Sequence, residues 1–288
     1  MAVGALDLDL ARDLTVVPMS TPEVTRTPPV VAEYLARVGL SGRRPTLREL
    51  TRAHVETIPF ENVDVVLGRH PGLAPDAVVD KLVRRRRGGY CYEHARLFAA
   101  VLEQLGYVVR PVMARVKPDR GGLRTHRTLV VDVDGAGHLV DVGFGASMIA
   151  PMPLRDGVVV DQAGWDHRLE HADGHWTLVR RTLRGEERIY RMDPQPSLPV
   201  DDEVAHHYTS THPSSPFTGQ LVVMRLAEGV SRRLVRDTLT TEYADGRVEE
   251  QRVTADTVVD VLASLDVDLD GEEAAALRAW WSTQGHDQ

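Results

Sequence analysis

Apolar residues in the first third of the chain recur every three or four positions, the spacing of one helical face. TRTPPVVAEYLARVGLSG starts with prolines and closes near Gly39, which brackets a short amphipathic helix. In PTLRELTRAHVETIPF, Thr46 and Glu49 form a capping-box pattern ahead of a second helix. APDAVVDKLVRRRRGG predicts a third, with Pro75 near its start and Gly88 or Gly89 at its end. CYEHARLFAAVLEQLGY puts Leu97, Phe98, Val101, Leu102 and Leu105 on one face of a fourth, closed by Gly106. After Tyr107 the pattern shortens to that of strands: VVRPVMARV, TLVVDV, HLVDVGF, HRLEHA, HWTLVRR and ERIYRM. Asp134-Gly135 and Asp173-Gly174 are dipeptides suited to tight hairpins, so the middle third reads as an antiparallel sheet or barrel. DDEVAHHYTSTHPSSPF predicts a connecting helix that breaks at Pro213. Strands follow, with another turn at Asp245-Gly246, and then helices around TVVDVLASL and GEEAAALRAWW. The residues before about 20 carry no period and read as a loosely held lead-in. There is no internal repeat and no Gly/Ser-rich junction, so the units are expected to pack on one another.

Composition narrows the function classes. Hydrophobic residues at 42% and charged residues at 26% suit a globular chain, and no apolar run is long enough to cross a bilayer. MAVGALDLDLARDL lacks the basic start and apolar stretch of a secretory signal. The single cysteine makes no internal disulfide, which fits a reducing cytoplasm. A net charge of −8 disfavours nucleic acid as a partner. The run Arg84 to Arg87 is the local exception, and it reads best as basic solvation of a helix end.

That single cysteine, Cys91, follows the Gly88-Gly89 pair at the predicted first turn of a helix. Unpaired N–H groups, the helix dipole and the neighbouring arginines all favour a thiolate there, although a buried cysteine also serves as a small hydrophobe. A thiolate nucleophile needs a base, and the base needs a group to orient it. His126 begins one predicted strand, and Asp141 falls on the next. If Asp134-Gly135 is a two-residue turn, Val133 faces Ala136 and Thr128 faces Asp141. His126 and Asp141 then become diagonal neighbours roughly 7–8 Å apart, within side-chain reach. Either residue alone could be structural, as a strand end or a turn cap. The ordered set of Cys, His and Asp points to nucleophilic catalysis.

RRGGYCYEH, the TH ahead of an apolar strand and LVDVGFG resemble the signature segments of the arylamine N-acetyltransferases, with IPFENVD and STHPSSPF as two further segments in the same order. The resemblance implies an α+β fold: an N-terminal helical bundle (1–107), a central antiparallel β-barrel (108–205) and a C-terminal α/β lid reached by a connecting helix (206–288), around a cysteine-protease-like core. It implies Cys91, His126 and Asp141 as a triad. Acetyl-CoA would be the co-substrate, and an aromatic amine or hydrazine would be the acceptor of a ping-pong reaction without metal. Thr125, Phe144 and Gly145 would lie near CoA, with Gly145 allowing close backbone approach. Phe60, Tyr90 and Phe217 would line the acceptor pocket. Ala95-Arg96 stands where the family commonly has Asn-Gly. His206-His207 stands where relatives tend to carry tryptophan, and Arg127 where a small or hydroxyl residue is common. The nearest rival is an amide synthase of the same superfamily, drawing a longer acyl chain from a carrier protein. A cysteine hydrolase, or a binding protein using Arg84 to Arg87, would belong to other classes. Two metal-like patterns fail. DVDLDG has Leu277 where a calcium loop needs glutamate, and Asp173-Gly174 separates His175 from His167 and His171.

Overall fold

The computed structural model describes residues 31–284 apart from 183, 184, 194 and 196. The expected lead-in before residue 20, and the prolines Pro28 and Pro29 ahead of the first helix, lie outside them. The helical part comprises α1 (Val31–Arg37), α2 (Leu47–Thr57), α3 (Val63–Val66), α4 (Pro75–Val79) and α5 (Cys91–Gln104), with a two-residue strand β1 (Phe60–Glu61) between α2 and α3. The capping box of α2 forms as its residues dictate. Thr46 N–H donates to Glu49 Oε2 at 2.8 Å, and Glu49 N–H to Thr46 Oγ1 at 3.3 Å. Leu97, Phe98, Val101 and Leu102 on the inner face of α5 meet Leu50 and Leu82, and Leu129 and Val131 of the barrel join the same core.

The third predicted helix departs from expectation. After Val79 the chain widens into a π-type segment, Asp80–Arg84, closed by an Arg85 N–H to Asp80 carbonyl bond of 2.8 Å. The wider turn brings Lys81 inside, where its ammonium lies 2.9 Å from Glu93 Oε1 and 3.1 Å from Asp64 Oδ2. The arginine run divides at the same place. Arg84 pairs with Glu33 and Arg85 with Glu273 at the surface, while Arg87 is buried between Glu61 (3.1 Å) and Glu273 (2.8 Å). Helix-end solvation therefore does not describe Arg87, whose charge belongs to an internal network.

Burial alone would raise the Glu93 carboxyl, but the Lys81 charge and the His70 imidazole 3.4 Å away hold it at about 2. The stability this contributes is complete above the ordinary carboxylate range and is lost as pH falls toward about 2. Lys81→Met is expected to cost about 3–5 kcal/mol, because Glu93 and Asp64 stay buried without their cation. Urea unfolding at pH 7 checks this, and a loss below about 1 kcal/mol would mean the cluster is well solvated.

β2 (Val108–Val116), β3 (His126–Val133), β4 (Ala136–Val140), β5 (Met152–Pro153), β6 (Val159–Asp161), β7 (Asp166–Ala172), β8 (His175–Thr182) and β9 (Gly185–Met192) form one antiparallel sheet. Its order is β5-β4-β3-β2-β9-β8-β7-β6. The two edge strands are consecutive in the chain, so the sheet curls into a nearly closed barrel. Asp134 (φ 53°) and Gly135 (φ 80°) make the expected two-residue turn, which fixes Val133 opposite Ala136 and Leu129 opposite Val140. Asp141, expected on the strand, lies just past its end at Val140. His171 and His175 sit on separate strands as Asp173-Gly174 requires, and no metal-ligand cluster occurs among the described residues.

α6 (Pro199–Thr211) leads to β10 (Val222–Ala227), β11 (Val230–Val235), β12 (Thr238–Tyr243) and β13 (Val248–Arg252), covered by α7 (Val258–Ser264) and α8 (Gly271–Thr283). The DVDLDG stretch ends in the cap of α8, where Asp270 Oδ1 accepts the Glu273 N–H at 2.8 Å. Strand β1, too short to show a period, completes this sheet by pairing Phe60 with Met224. On its other side Phe60 bridges to Gly89. Val63 and Val66 of α3 enter the C-terminal core beside Leu234, Leu262 and Trp281. The first and last parts of the chain thus share one sheet and one core. No helix among the described residues is long and apolar enough to cross a membrane.

Candidate active site

The glycine pair ahead of Cys91 is explained by space. A Cβ at Gly88 would come within 2.1 Å of the Pro59 carbonyl, and one at Gly89 within 2.4 Å of the Glu93 carboxylate. Bare backbone at both positions lets residues 88–89 run alongside 59–61, with Glu61 N–H donating to the Gly89 carbonyl at 2.8 Å. Glu93 Oε2 then accepts the Tyr90 N–H at 3.0 Å and sets the start of α5. Cys91 becomes its first residue, only 5% exposed, at the positive end of a 14-residue helix. Its sulfur lies 3.9 Å from the Thr125 carbonyl oxygen, which also accepts the Tyr92 hydroxyl at 2.5 Å.

On the barrel side, His126 Nε2 lies 2.7 Å from Asp141 Oδ2, and Gly143 N–H donates to Asp141 Oδ1 at 3.1 Å. Leaving the strand at Val140 is what lets the carboxylate hold both groups. Both side chains are buried. The Phe144 ring stands edge-on to the imidazole at a centroid distance of 4.9 Å, and Tyr190 lies against it at 5.0 Å. With Nε2 committed to Asp141, Nδ1 is the nitrogen left to face the Cys91 sulfur, whose charge acts on the imidazole. Burial opposes a charge on His126, but the Asp141 carboxylate, its hydrogen bond and the Cys91 sulfur outweigh it and lift the imidazole to about 10.

Gly143, not singled out from the sequence, decides whether these halves can meet. A Cβ there would lie 2.9 Å from Cys91 Cα and 3.2 Å from His94 Cβ, so only glycine lets α5 approach the loop after β4. Gly145 is required by its own backbone. Its φ is +90°, and a Cβ would strike Met224 Sδ at 2.5 Å. Two further histidines escaped the sequence reading. The Tyr34 hydroxyl lies 3.0 Å from His54 Nδ1, and His54 Nε2 lies 2.8 Å from His94 Nδ1. His94 Nε2 in turn donates to the Gly89 carbonyl at 3.1 Å. Burial pushes both imidazoles below the ordinary value, His94 to about 4, so this chain is neutral and props the glycine turn.

Phe60, Tyr90 and Phe217 come together on one side of Cys91, with ring centroids of Phe217 6.0 Å from Phe60 and 5.9 Å from Tyr90. Tyr90 is fully buried and its hydroxyl is held by His206 Nδ1, which makes it the back of that wall rather than its face. Phe144 stands against His126, Gly145 against Met224 of β10, and the Thr125 carbonyl 3.9 Å from the Cys91 sulfur.

A thiol, an imidazole and a carboxylate in this order, beside aromatic side chains, make this a candidate site for chemistry through sulfur. The model of the N-acetyltransferase family matches residues 45–273. The arylamine N-acetyltransferase of Mycolicibacterium smegmatis is 43% identical over 205 residues, 66% of this chain and 74% of that protein. That of Mycobacterium tuberculosis H37Rv is 37% identical over 243 residues, 80% and 86% of the two chains. The crystal structure of the Nocardia farcinica arylamine N-acetyltransferase superposes with a TM-score of 0.82 at 38% identity, over 88% of this chain and 95% of that one. The Mycobacterium marinum enzyme in complex with CoA superposes at 0.79 with 33% identity, over 88% and 97%. The chain belongs to the arylamine N-acetyltransferase family, whose members transfer an acetyl group.

Proposed function

We propose that this protein moves an acetyl group from acetyl-CoA to an arylamine or arylhydrazine by a ping-pong mechanism through a thioester on Cys91. The observation that carries the reading is the 2.7 Å His126–Asp141 bond, which leaves the other imidazole nitrogen for Cys91. In the first half-reaction the Cys91 sulfur attacks the thioester carbonyl carbon of acetyl-CoA. The bond from that carbon to the CoA sulfur breaks, and CoA leaves with the proton held by His126. In the second, the amine nitrogen attacks the acetyl carbon and gives a proton to His126. The carbon–Cys91 bond breaks, and the acetamide or acetylhydrazide departs. Asp141 holds the ring in orientation through both steps. The N-terminus of α5 supplies positive potential to the tetrahedral oxyanions. CoA itself is supported by the Mycobacterium marinum complex, and Thr125, Phe144 and Gly145 are assigned to its side of the site. Phe60, Tyr90 and Phe217 are assigned to the acceptor. The helical bundle (1–107), barrel (108–205) and lid (206–288) then divide the labour into nucleophile, base and closure, and a working thiol suits the cytoplasm.

Intact mass tests the reading cleanly, because the chain has only one cysteine to modify. Incubation with acetyl-CoA is expected to add one acetyl group, which disappears when a simple arylamine or hydrazine is added as acetylated amine appears. A mass unchanged by acetyl-CoA would refute acetyl transfer through Cys91, and labelling only by longer acyl carrier thioesters would turn the reading to an amide synthase.

A further inference from the structure

A second buried charge cluster joins the three elements around the reacting groups. Arg127 directly follows His126 on β3, and its guanidinium lies 2.8 Å from Asp202 Oδ1 in the first turns of α6 and 2.6 Å from the Ser197 hydroxyl ahead of that helix. Arg96 of α5 reaches the same carboxylate at 3.7 Å and anchors on the Leu73 carbonyl at 2.9 Å. Arg127 and Asp202 are 6% and 2% exposed, so neither ion is held by solvent. One carboxylate therefore ties the helix that begins with Cys91, the strand that begins with His126, and α6. The groups facing Arg127 are Asp202, Arg96, Cys91 and Tyr92, and those facing Asp202 include its own neighbours Asp201 and Glu203. Arg127 thus sits one residue along the strand from His126 and, across Asp202 and Arg96, is tied to the helix of Cys91.

We infer that Arg127 is a positioning residue for the transfer reaction: through Asp202 and Arg96 it fixes the strand of His126 against the helix of Cys91, and it adds a fixed positive charge beside the sulfur. The inference rests on the Cys91 reading given above. A cluster that only held the fold together would affect Arg127 and Asp202 variants alike. A cluster that also sets the field at Cys91 gives their variants opposite signs, since one removes a cation and the other an anion.

The test measures steady-state acetyl transfer from acetyl-CoA to an arylamine, and the pH dependence of iodoacetamide alkylation, on Arg127→Met, Arg127→Lys, Asp202→Asn and Cys91→Ala. Arg127→Met and Asp202→Asn are both expected to lower kcat roughly tenfold or more, with KM for acetyl-CoA held within about twofold. The alkylation midpoint should move to higher pH in Arg127→Met and to lower pH in Asp202→Asn. Arg127→Lys should keep the wild-type midpoint and recover part of kcat. Should Arg127→Met not fold, Arg127→Gln removes the same cation and carries the comparison against Asp202→Asn. Midpoints that move together, or kcat unchanged in both variants, overturn the inference. A dead Cys91→Ala beside a fully active Arg127→Met overturns it alone, whereas turnover by Cys91→Ala overturns the nucleophile and this inference with it.

Discussion

Cys91→Ala is expected to give a folded protein that transfers no acetyl group, a loss on the order of 10⁶-fold in kcat. The side chain is small and buried, and the start of α5 is set by Glu93 and the glycine pair rather than by the thiol. Removing the sulfur therefore removes chemistry without removing structure. Circular dichroism and the melting temperature should stay near wild type while turnover of acetyl-CoA with an arylamine disappears. Turnover within tenfold of wild type would exclude a covalent route through this residue. Alkylation of the wild-type thiol offers a companion measurement. His126→Ala should slow it at neutral pH, because the imidazolium that pairs with the thiolate is gone.

Asp141→Asn should cost roughly 10³–10⁴-fold in kcat with little change in KM. Asparagine can keep a hydrogen bond at His126 Nε2 but carries no charge. Burial then dominates, and the imidazole falls from about 10 toward or below its ordinary value of 6.5. The same change is readable in stability. In the wild type the His126–Asp141 pair contributes fully below the ordinary histidine value, and its contribution is lost as pH rises through about 10. Unfolding midpoints in urea at pH 6.5 and pH 10 should therefore converge in Asp141→Asn and differ in the wild type. An equal slope in both proteins would mean the pair does not titrate as a buried ion pair.

Features set by a few neighbouring residues could be seen in the sequence. Thr46 and Glu49 announced a cap because both partners lie within one turn, and Asp134-Gly135 fixed the register that brings His126 toward Asp141. What failed to show depends on partners far away or on space. Arg87 reads as one of four surface arginines until Glu61 and Glu273 are seen to enclose it. The π-type turn at Asp80–Arg84 goes with the burial of Lys81 against Glu93 and Asp64, distant partners that no local propensity encodes. Gly143 looks like any strand-end glycine, and its necessity appears only when Cys91 Cα is found 2.9 Å from where its Cβ would be. At Gly145 the backbone angle and the close Met224 are likewise invisible in the sequence.

The pairing of β1 with β10 and of Arg87 with Glu273 also bears on how a nascent chain matures. Arg87 and Glu273 are 186 residues apart, so at about 5–20 residues per second the ribosome needs roughly 10–40 s between adding the first and adding the second. Throughout that interval the turn ahead of Cys91 lacks one of its carboxylates, and until β10 is made the outer edge of β1 has no strand beside it. The N-terminal helices can collapse early on their own apolar faces, but the residues packed around Cys91 include Val222, so its surroundings are complete only once β10 has been made. Synthesis order thus leaves Cys91 open to solvent until the C-terminal sheet begins to form.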